Sequence, residues 1–458
     1  MEKRRGFVCP SWLARPAYFL FSAIVFPLVL ALGWPFLLLK EKRRKTLLPR
    51  LGFQPYPKTD VDGPGPVWIH ALSVGELLSA VPLIEGLRAR LGDARPIVVS
   101  VSTLSGRLIA GKRLEGKIDG LFYFPYDTPL AYRRCFSRIR PDLFVLVETD
   151  VWPGYLSFFR SRGIPCVLVN GRLTERSFCS FARWWSLFGP AFAVFRMIYP
   201  QSVREASRFR DLGVGPDRLG RPGNLKFDAN GGSVSEDGGR SLRKILGFEP
   251  NDRILIAGST HAGEERTLLE VFARLRGEVD GLKLILVPRH PERGLEVRDI
   301  CRASGFEVAL LTDRRIERPD VVVVDRLGFL GRFYPLAEMA FVGGSIVPKG
   351  GQNPIEPALA GKPIVFGPDM SDFPDIAPEL VERGGARVIT DGDALHKVML
   401  DWLMHRDEAA EAGAKALEAV EAHRGITDHL VEELVELLAA TSSASGRTVY
   451  SGPGKSPD

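Results

Sequence analysis

Between Val67 and Glu76 the chain reads VWIHALSVGE, an apolar run that breaks into Ser73, Gly75 and Glu76. The run predicts a buried strand and the break a helix start. A carboxylate placed there can act as general base toward a hydroxyl, and the helix dipole favours its ionised form. The same S-x-x-E spacing is a capping box, in which Ser73 and Glu76 only satisfy backbone N–H groups, and spacing alone favours that cap. A second acidic pattern, Glu148-Thr149-Asp150, closes the apolar run Leu143–Val147 ahead of Trp152-Pro153. Orientation of substrate hydroxyls, or a bond to a neighbouring loop, suits this pair better than a divalent metal. Ser102-Thr103-Leu104-Ser105-Gly106-Arg107 follows a further apolar run and either lines a site with hydroxyls or caps a helix.

The second half carries phosphate-type turns. Phe341–Pro368 reads FVGGSIVPKGGQNPIEPALAGKPIVFGP: a strand, the turn Gly343-Gly344-Ser345, a second glycine pair, then a helix over Ile355–Ala360 opened by Asn353-Pro354. Helix starts collect anions through free N–H groups and the dipole. Asn353 and Glu356 share one face, where a carboxylate can accept hydrogen bonds from ribose hydroxyls. An ordinary strand–helix turn with Glu356 in solvent is the plainer alternative; two glycine pairs with N-P-x-E favour a nucleotide site. Ile254–Glu265, ILIAGSTHAGEE, places Ser259 and Thr260 in another such turn, and Leu286–Arg293, LVPRHPER, ends a strand on Pro288-Arg289-His290. Arg289 offers a fork of donors to phosphate, and His290 donates or accepts near neutral pH. No GxGxxG opens a helix after a strand, and neither GxxxxGK[ST] nor G-x-S-x-G occurs. Dehydrogenase, P-loop and serine-hydrolase readings therefore lack a warrant.

These residues need rigid elements to hold them. With 458 residues, 45% apolar and 25% charged, the chain has the size and composition of two globular domains plus extras. Strand–helix alternation from Val67 onward predicts mainly parallel sheets covered by helices. The strands expected are Val67–Leu72, Ile97–Val101, Leu121–Phe124, Leu143–Val147, Cys166–Val169 and Met197–Tyr199, then Ile254–Ala257, Leu282–Val287, Val321–Val324, Met339–Val342, Ile364–Phe366 and Ala386–Ile389. The glycine-rich stretch 227–240 is the linker, and 441–458 is expected to be a disordered tail. The expected domains are therefore 51–226 and 241–440. Ala17–Leu39 is apolar, free of charge and long enough to cross a bilayer. Heavier basic flanking after it places the bulk of the chain in the cytoplasm, with residues 1–50 as anchor and basic juxtamembrane segment. Cys9, Cys135, Cys166, Cys179 and Cys301 are odd in number and scattered, so neither a disulfide framework nor a zinc site is expected. A net charge of +6 and pI near 9.0 suit an anionic partner, with nucleic acid the weakest because no nucleic-acid-binding motif is present.

In their order, Ser73–Glu76, Pro125–Asp127, Glu148–Pro153, Asn170–Arg172, Gly223–Asp228, Ser259–Glu265, Pro288–Arg293, Gly343–Ser345 and Gly350–Pro357 resemble the 3-deoxy-D-manno-octulosonic acid (Kdo) transferase family. The resemblance runs from about Pro16 to about Leu430. It implies an α/β GT-B glycosyltransferase: two Rossmann-like lobes with an interlobe cleft, plus an N-terminal membrane-anchor helix at the cytoplasmic face of the bacterial inner membrane. The implied reaction transfers Kdo from CMP-Kdo to a hydroxyl of a lipid A precursor with inversion at the anomeric carbon and no bound cofactor or metal. Lipid A precursor and the anionic membrane surface are the implied partners.

Carried over residue by residue, Glu76 resembles the catalytic base and Glu148 a second active-site carboxylate. Pro288, Arg289, the turn at Gly328, Asn353 and Glu356 resemble the CMP pocket, joined by the turn residues Ser259, Thr260, His290, Gly344 and Ser345. Ser73, Gly75, Ser105 and Arg172 are placed with the acceptor. Two departures stand out: Phe329 replaces an acidic residue in DRLGFL, and Asp150 and Gly154 replace Glu and Asn in E-T-D-V-W-P-G. The alternatives are another GT-B nucleotide-sugar enzyme, a UDP-sugar transferase or epimerase, and a non-catalytic membrane-tethered binding protein.

Overall fold

The structure, a computed structural model, describes residues 41–57, 63–228, 236–314 and 317–445, with positions 16, 18, 20, 23, 24 and 28 before them. The chain divides into two units, 1–229 with 425–458, and 230–424. The first unit holds strands β1 (Val67–Ala71), β2 (Ile97–Val101), β3 (Gly120–Tyr123), β4 (Leu143–Val147), β5 (Cys166–Gly171) and β6 (Phe195–Pro200). They form one sheet in the order 3-2-1-4-5-6 with every pairing parallel, the doubly wound Rossmann arrangement. The second unit holds β7 (Arg253–Thr260), β8 (Leu282–Pro288), β9 (Val308–Leu310), β10 (Val321–Val323), β11 (Met339–Val342), β12 (Ile364–Phe366) and β13 (Ala386–Val388). Their order is 13-12-11-7-8-10-9, again all parallel. Strand order reverses between β1 and β4 in one unit and between β7 and β11 in the other. Ligands of open parallel sheets bind beyond the carboxyl ends of the strands at such points.

Strands covered by helices on both faces read as unbroken apolar runs. Alternate residues of the first sheet enter two cores: Val67, Ile69, Ala71, Val99 and Val145 on one face, Trp68, Val98, Phe144 and Leu146 on the other. Onto the first face pack Leu77, Ala80, Ile84, Leu87 and Leu91, one stripe of the helix Val74–Leu91. The same core takes Ile426, Leu430, Val431, Leu434 and Leu438 from the last helix, Ile426–Ser445. Gly86 allows the close approach, since a Cβ there would stand 2.7 Å from Cγ2 of Val431. Both carboxylate oxygens of Asp228 accept from the start of this returning segment, from the N–H of Gly425 and of Thr427 at 2.7 Å each.

Sequence boundaries are corrected here. The segment 425–440, expected in the second domain, belongs to the first unit because its apolar stripe completes that unit's core. Its helix runs on through Ser445, into the expected tail. A helix starting at Glu236 occupies the end of the expected linker. The three-residue edge strand β9 was not anticipated. The anchor expected over 17–39 falls almost wholly outside the described residues. Among the described residues no helix is long and apolar enough to cross a membrane.

In the second unit the reversal between β7 and β11 is closed by one side chain. Glu264 is fully buried, and its Oε2 accepts from the N–H of His261 and Gly344 at 2.8 Å each. Its Oε1 accepts from the N–H of Ser345 and Ile346 at 3.1 Å each. The turn after β11 thereby wraps a carboxylate from the turn after β7. Gly343 is required at this approach, because a Cβ would lie 2.5 Å from the carbonyl oxygen of Ser259.

Leu434→Ala should lower the urea midpoint of the first unit's unfolding, by about 2–5 kcal/mol of stability, as expected for a truncated core leucine. Glu264→Ala strands the buried N–H groups of Gly344 and Ser345 and the part-buried one of Ile346 in the turn after β11. It should destabilise the second unit by on the order of 3 kcal/mol or more, read from the same urea titration.

Candidate active site

In the first unit, Ser73 caps the helix Val74–Leu91, and its Oγ accepts from the Glu76 N–H at 3.4 Å. The Glu76 side chain folds back and accepts from the Leu72 N–H at 2.6 Å and from the Ser73 hydroxyl at 3.1 Å. The capping box is therefore real. It also carries the carboxyl into the reversal point of the sheet, where Glu76 is 8% exposed. Burial, then the charge of Glu148, push its carboxyl up to about 7, against the lowering effect of the two hydrogen bonds. Asp150 adds to the rise. Burial and like charge thus oppose the ionised form that the helix dipole favours, and the group is poised near neutral pH, where a general base works best.

Glu148 follows β4 with φ +60°, and Asn170, in the neighbouring strand β5, has φ +55°. Left-handed backbone at residues other than glycine is uncommon and gathers at functional sites. The Glu148 N–H donates to the Val169 carbonyl at 2.9 Å, and fully buried Asn170 accepts from the Leu225 N–H at 3.1 Å. Thr149 fixes Arg172 by its backbone alone: its hydroxyl donates to the Arg172 carbonyl at 2.7 Å and accepts from the Arg172 N–H at 3.0 Å.

Asp150 accepts from the Trp152 indole N–H at 2.7 Å through Oδ1, while Oδ2 faces His70 Nε2 at 3.6 Å. Ser105 is half-buried in the first turn of the helix Leu104–Arg113, which Thr103 caps. Gly75 is exposed, with only Ser73 Oγ near the place a Cβ would take, so nothing there demands glycine.

Sequence reasoning gave no role to three contributors to this unit's site, although two of them, Asp127 and Asn170, stand in the motifs that carry the resemblance. Asp127 accepts from the N–H groups of Gly154 and Tyr155 at 2.9 and 2.7 Å, capping the helix that follows the Glu148–Asp150 turn. It also accepts from the Tyr18 hydroxyl. This explains Gly154, since a Cβ there would stand 2.4 Å from Asp127 Oδ1. Asn170 is the second contributor. The third, His70, was visible as a lone polar residue within an apolar strand.

In the second unit, the Ser259–Thr260–His261 turn and Arg289-His290 adjoin, because the Arg289 N–H donates to the Thr260 carbonyl at 2.9 Å. Ser259 has φ +56°. Thr260 is buried and donates to Glu265, which Arg293 holds at 2.7 Å. Pro288 ends β8; Arg289 and His290 beyond it are exposed, and the His290 ring lies 6.2 Å from that of His261. Burial lowers the affinity of His261 for a proton.

Gly344 and Ser345 do not offer their N–H groups to a ligand, because the buried Glu264 already takes both. Asn353 accepts from the Ile355 N–H and donates to Glu356 Oε1, each at 3.1 Å, so the two expected partners do share a face. The helix they open, Ile355–Leu359, is only five residues long. Gly328 has φ +82° and open space about it. Phe329, in the place of the acidic residue, stacks near Phe333 with ring centres 6.2 Å apart.

Residues 45–229 match the family model described as 3-deoxy-D-manno-octulosonic-acid transferase (kdotransferase). A 3-deoxy-D-manno-octulosonic acid transferase of Haemophilus influenzae is 30% identical over 398 residues, covering 85% of this chain and 91% of the relative. The enzyme of that name from Bordetella pertussis is 31% identical over 390 residues, covering 81% and 87%. Among solved structures, the UDP-GlcNAc 2-epimerase of Neisseria meningitidis, bound to UDP-GlcNAc, aligns with a TM-score of 0.56 at 10% identity, covering 81% of this chain and 99% of its own. That likeness bears on the fold alone. Similarity sustained at this level along nearly the whole of two relatives makes the chain a member of the 3-deoxy-D-manno-octulosonic acid transferase family.

Proposed function

We propose that this chain is a glycosyltransferase that moves Kdo from CMP-Kdo to a hydroxyl of a lipid A precursor, in lipopolysaccharide core biosynthesis. The observation that carries the reading is the Glu76 carboxyl, buried at the sheet's reversal point and poised near neutral pH by burial and by Glu148. As carboxylate, Glu76 takes the proton of the acceptor hydroxyl while that oxygen bonds to the anomeric carbon of Kdo. The bond from that carbon to the CMP phosphate oxygen breaks, and its electron pair leaves with CMP. Attack from the face opposite CMP inverts the anomeric centre.

The second unit's part is the nucleotide. With the N–H groups of Gly344 and Ser345 committed to Glu264, the leaving phosphate falls to the exposed Arg289 and His290, and the ribose hydroxyls to Glu356, steadied by Asn353. Arg289 matches a phosphate as a planar fork of donors. A nucleoside monophosphate leaving group presents no diphosphate for a metal to bridge, so cationic and N–H donors suffice for the developing charge. Ser73, Gly75, Ser105 and Arg172 border the acceptor in this reading. A membrane anchor in residues 1–50, on the cytoplasmic face of the inner membrane, would hold the enzyme beside a lipid-borne acceptor and raise its effective concentration.

The test is a mass spectrum of lipid A precursor incubated with CMP-Kdo and the full chain, which reports donor, acceptor and number of transfers together. Glu76→Gln should abolish the mass increase while CMP still raises the melting temperature; product formed by that variant would remove the base assignment. Because the base is needed ionised and its carboxyl sits high, kcat/KM should fall as pH drops through about 7. Glu148→Gln removes the like charge that helps hold it there, and should move this midpoint to lower pH by about one unit. A midpoint that does not move would show that Glu148 does not act on Glu76 through charge.

A further inference from the structure

Gly344, in the turn after β11, has φ +67°, and the place a Cβ would take there is bare. Two side chains line that place: His261 with Cε1 at 3.2 Å and Nδ1 at 3.3 Å, and Gln352 with its amide nitrogen at 3.3 Å. Backbone bonds hold both of them. His261 donates its N–H to Glu264 at 2.8 Å, and its carbonyl accepts from the Glu264 N–H at 3.0 Å. The Gln352 N–H donates to the Gly343 carbonyl at 3.0 Å, and the Gly351 N–H to the Gly344 carbonyl at 2.8 Å. The turns after β7 and β11 thus bring an imidazole and a carboxamide together about one bare glycine.

His261 Nδ1 is buried and has no hydrogen-bond partner, a cost that lasts until something pairs with it. Burial, with His290 and Arg289 adding to it, lowers the affinity of His261 for a proton against the pull of Glu264, so the ring is neutral near neutral pH. A neutral imidazole has one N–H and one lone pair, and a carboxamide has both donors and an acceptor. An anion over Gly344 would need both side chains to donate, and the Glu264 carboxylate bonded to the N–H of that same glycine repels it. A hydroxyl is served in every case. It donates to a bare ring nitrogen or accepts from an N–H, and the carboxamide takes the complementary role by turning about its last bond.

We propose that His261 and Gln352 form the subsite for the sugar of the donor, bonding between them to a hydroxyl of Kdo that lies over Gly344. The proposal rests on the transfer of Kdo from CMP-Kdo and deepens that reading. The phosphate of CMP-Kdo is charged and meets Arg289, and the ribose hydroxyls meet Glu356. The part left over is a polyol, and a neutral pair able both to donate and to accept is what its hydroxyls require. The place adjoins both of the other contacts: the His261 ring is 6.2 Å from that of His290, and Gln352 directly precedes Asn353, which donates to Glu356. Glycine at 344 keeps the subsite open, since any side chain there would fill it.

The experiment measures the affinity of the full chain for CMP and for CMP-Kdo by fluorescence titration without acceptor, beside KM with lipid A precursor present. Wild type should bind CMP-Kdo more tightly than CMP. His261→Ala and Gln352→Ala should each weaken CMP-Kdo binding about tenfold and raise KM as much, while the affinity for CMP stays unchanged. Gln352→Ala decides the matter if His261→Ala does not fold, because the Gln352 side chain is half-buried. An equal loss for CMP in Gln352→Ala would give the pair to the nucleotide and overturn the proposal. So would CMP-Kdo binding that Gln352→Ala leaves intact, or a wild type that binds the two ligands alike. If Gln352→Ala removes the preference for CMP-Kdo in a chain that adds no mass to lipid A precursor, the transfer reading fails and the sugar subsite stands.

Discussion

Where a parallel sheet reverses its strand order, the chains leaving two neighbouring strands turn to opposite faces, and the space between them is left without backbone. Each unit of this protein must fill that space, and each sends a glutamate from a helix start into it. The outcomes differ because the donors differ. Glu264 meets four backbone N–H groups, two on each oxygen, and becomes the post around which the turn after β11 is wound. Glu76 meets one backbone N–H and one hydroxyl, with Glu148 and Asp150 for neighbours. A saturated carboxylate is structure; an under-donated one among like charges is chemistry.

The two donors close to that carboxylate, the Leu72 N–H and the Ser73 hydroxyl, do not outweigh burial and like charge, so the surrounding fold has to hold it. The first unit does so with a sheet buried on both faces and with the returning helix Ile426–Ser445, which closes the core beneath Val74–Leu91. Glu148 and Asn170 hold left-handed backbone at adjacent strand ends, a conformation that costs of order 1 kcal/mol or more per residue and persists only where surrounding contacts over-determine it. The contacts are at hand: Asn170 grips the Leu225 N–H, Thr149 grips both backbone groups of Arg172, and Asp127 caps the helix after the acidic turn.

Several of these features were legible before any coordinates. The S-x-x-E spacing forced a choice between cap and base, and the geometry supplies both, since the reach that caps the helix also sets the carboxyl at the reversal point. The glycine turn at 343–345, read from sequence as part of a nucleotide pocket, does gather backbone N–H groups, but their anion is Glu264 of the same chain. Nothing in the separation of 80 positions between Glu264 and Gly344 announces that pairing. His70 stood in plain view as a polar residue in an apolar strand, yet its meaning depends on Ser100, Phe124 and Asp150, which come from three other segments.

Local patterning therefore decided which segments are strands and helices, where each turn falls and which residue types wait at strand ends. Those properties arise from periodicity, glycine and capping chemistry within a few positions of each residue. Tertiary structure decided the allegiance of the last helix, the owner of the carboxylate inside the second unit's turn, and the direction in which the Glu76 carboxyl is pushed. Burial and like charge are properties of what surrounds a group in space, and spacing along the chain carries no record of them.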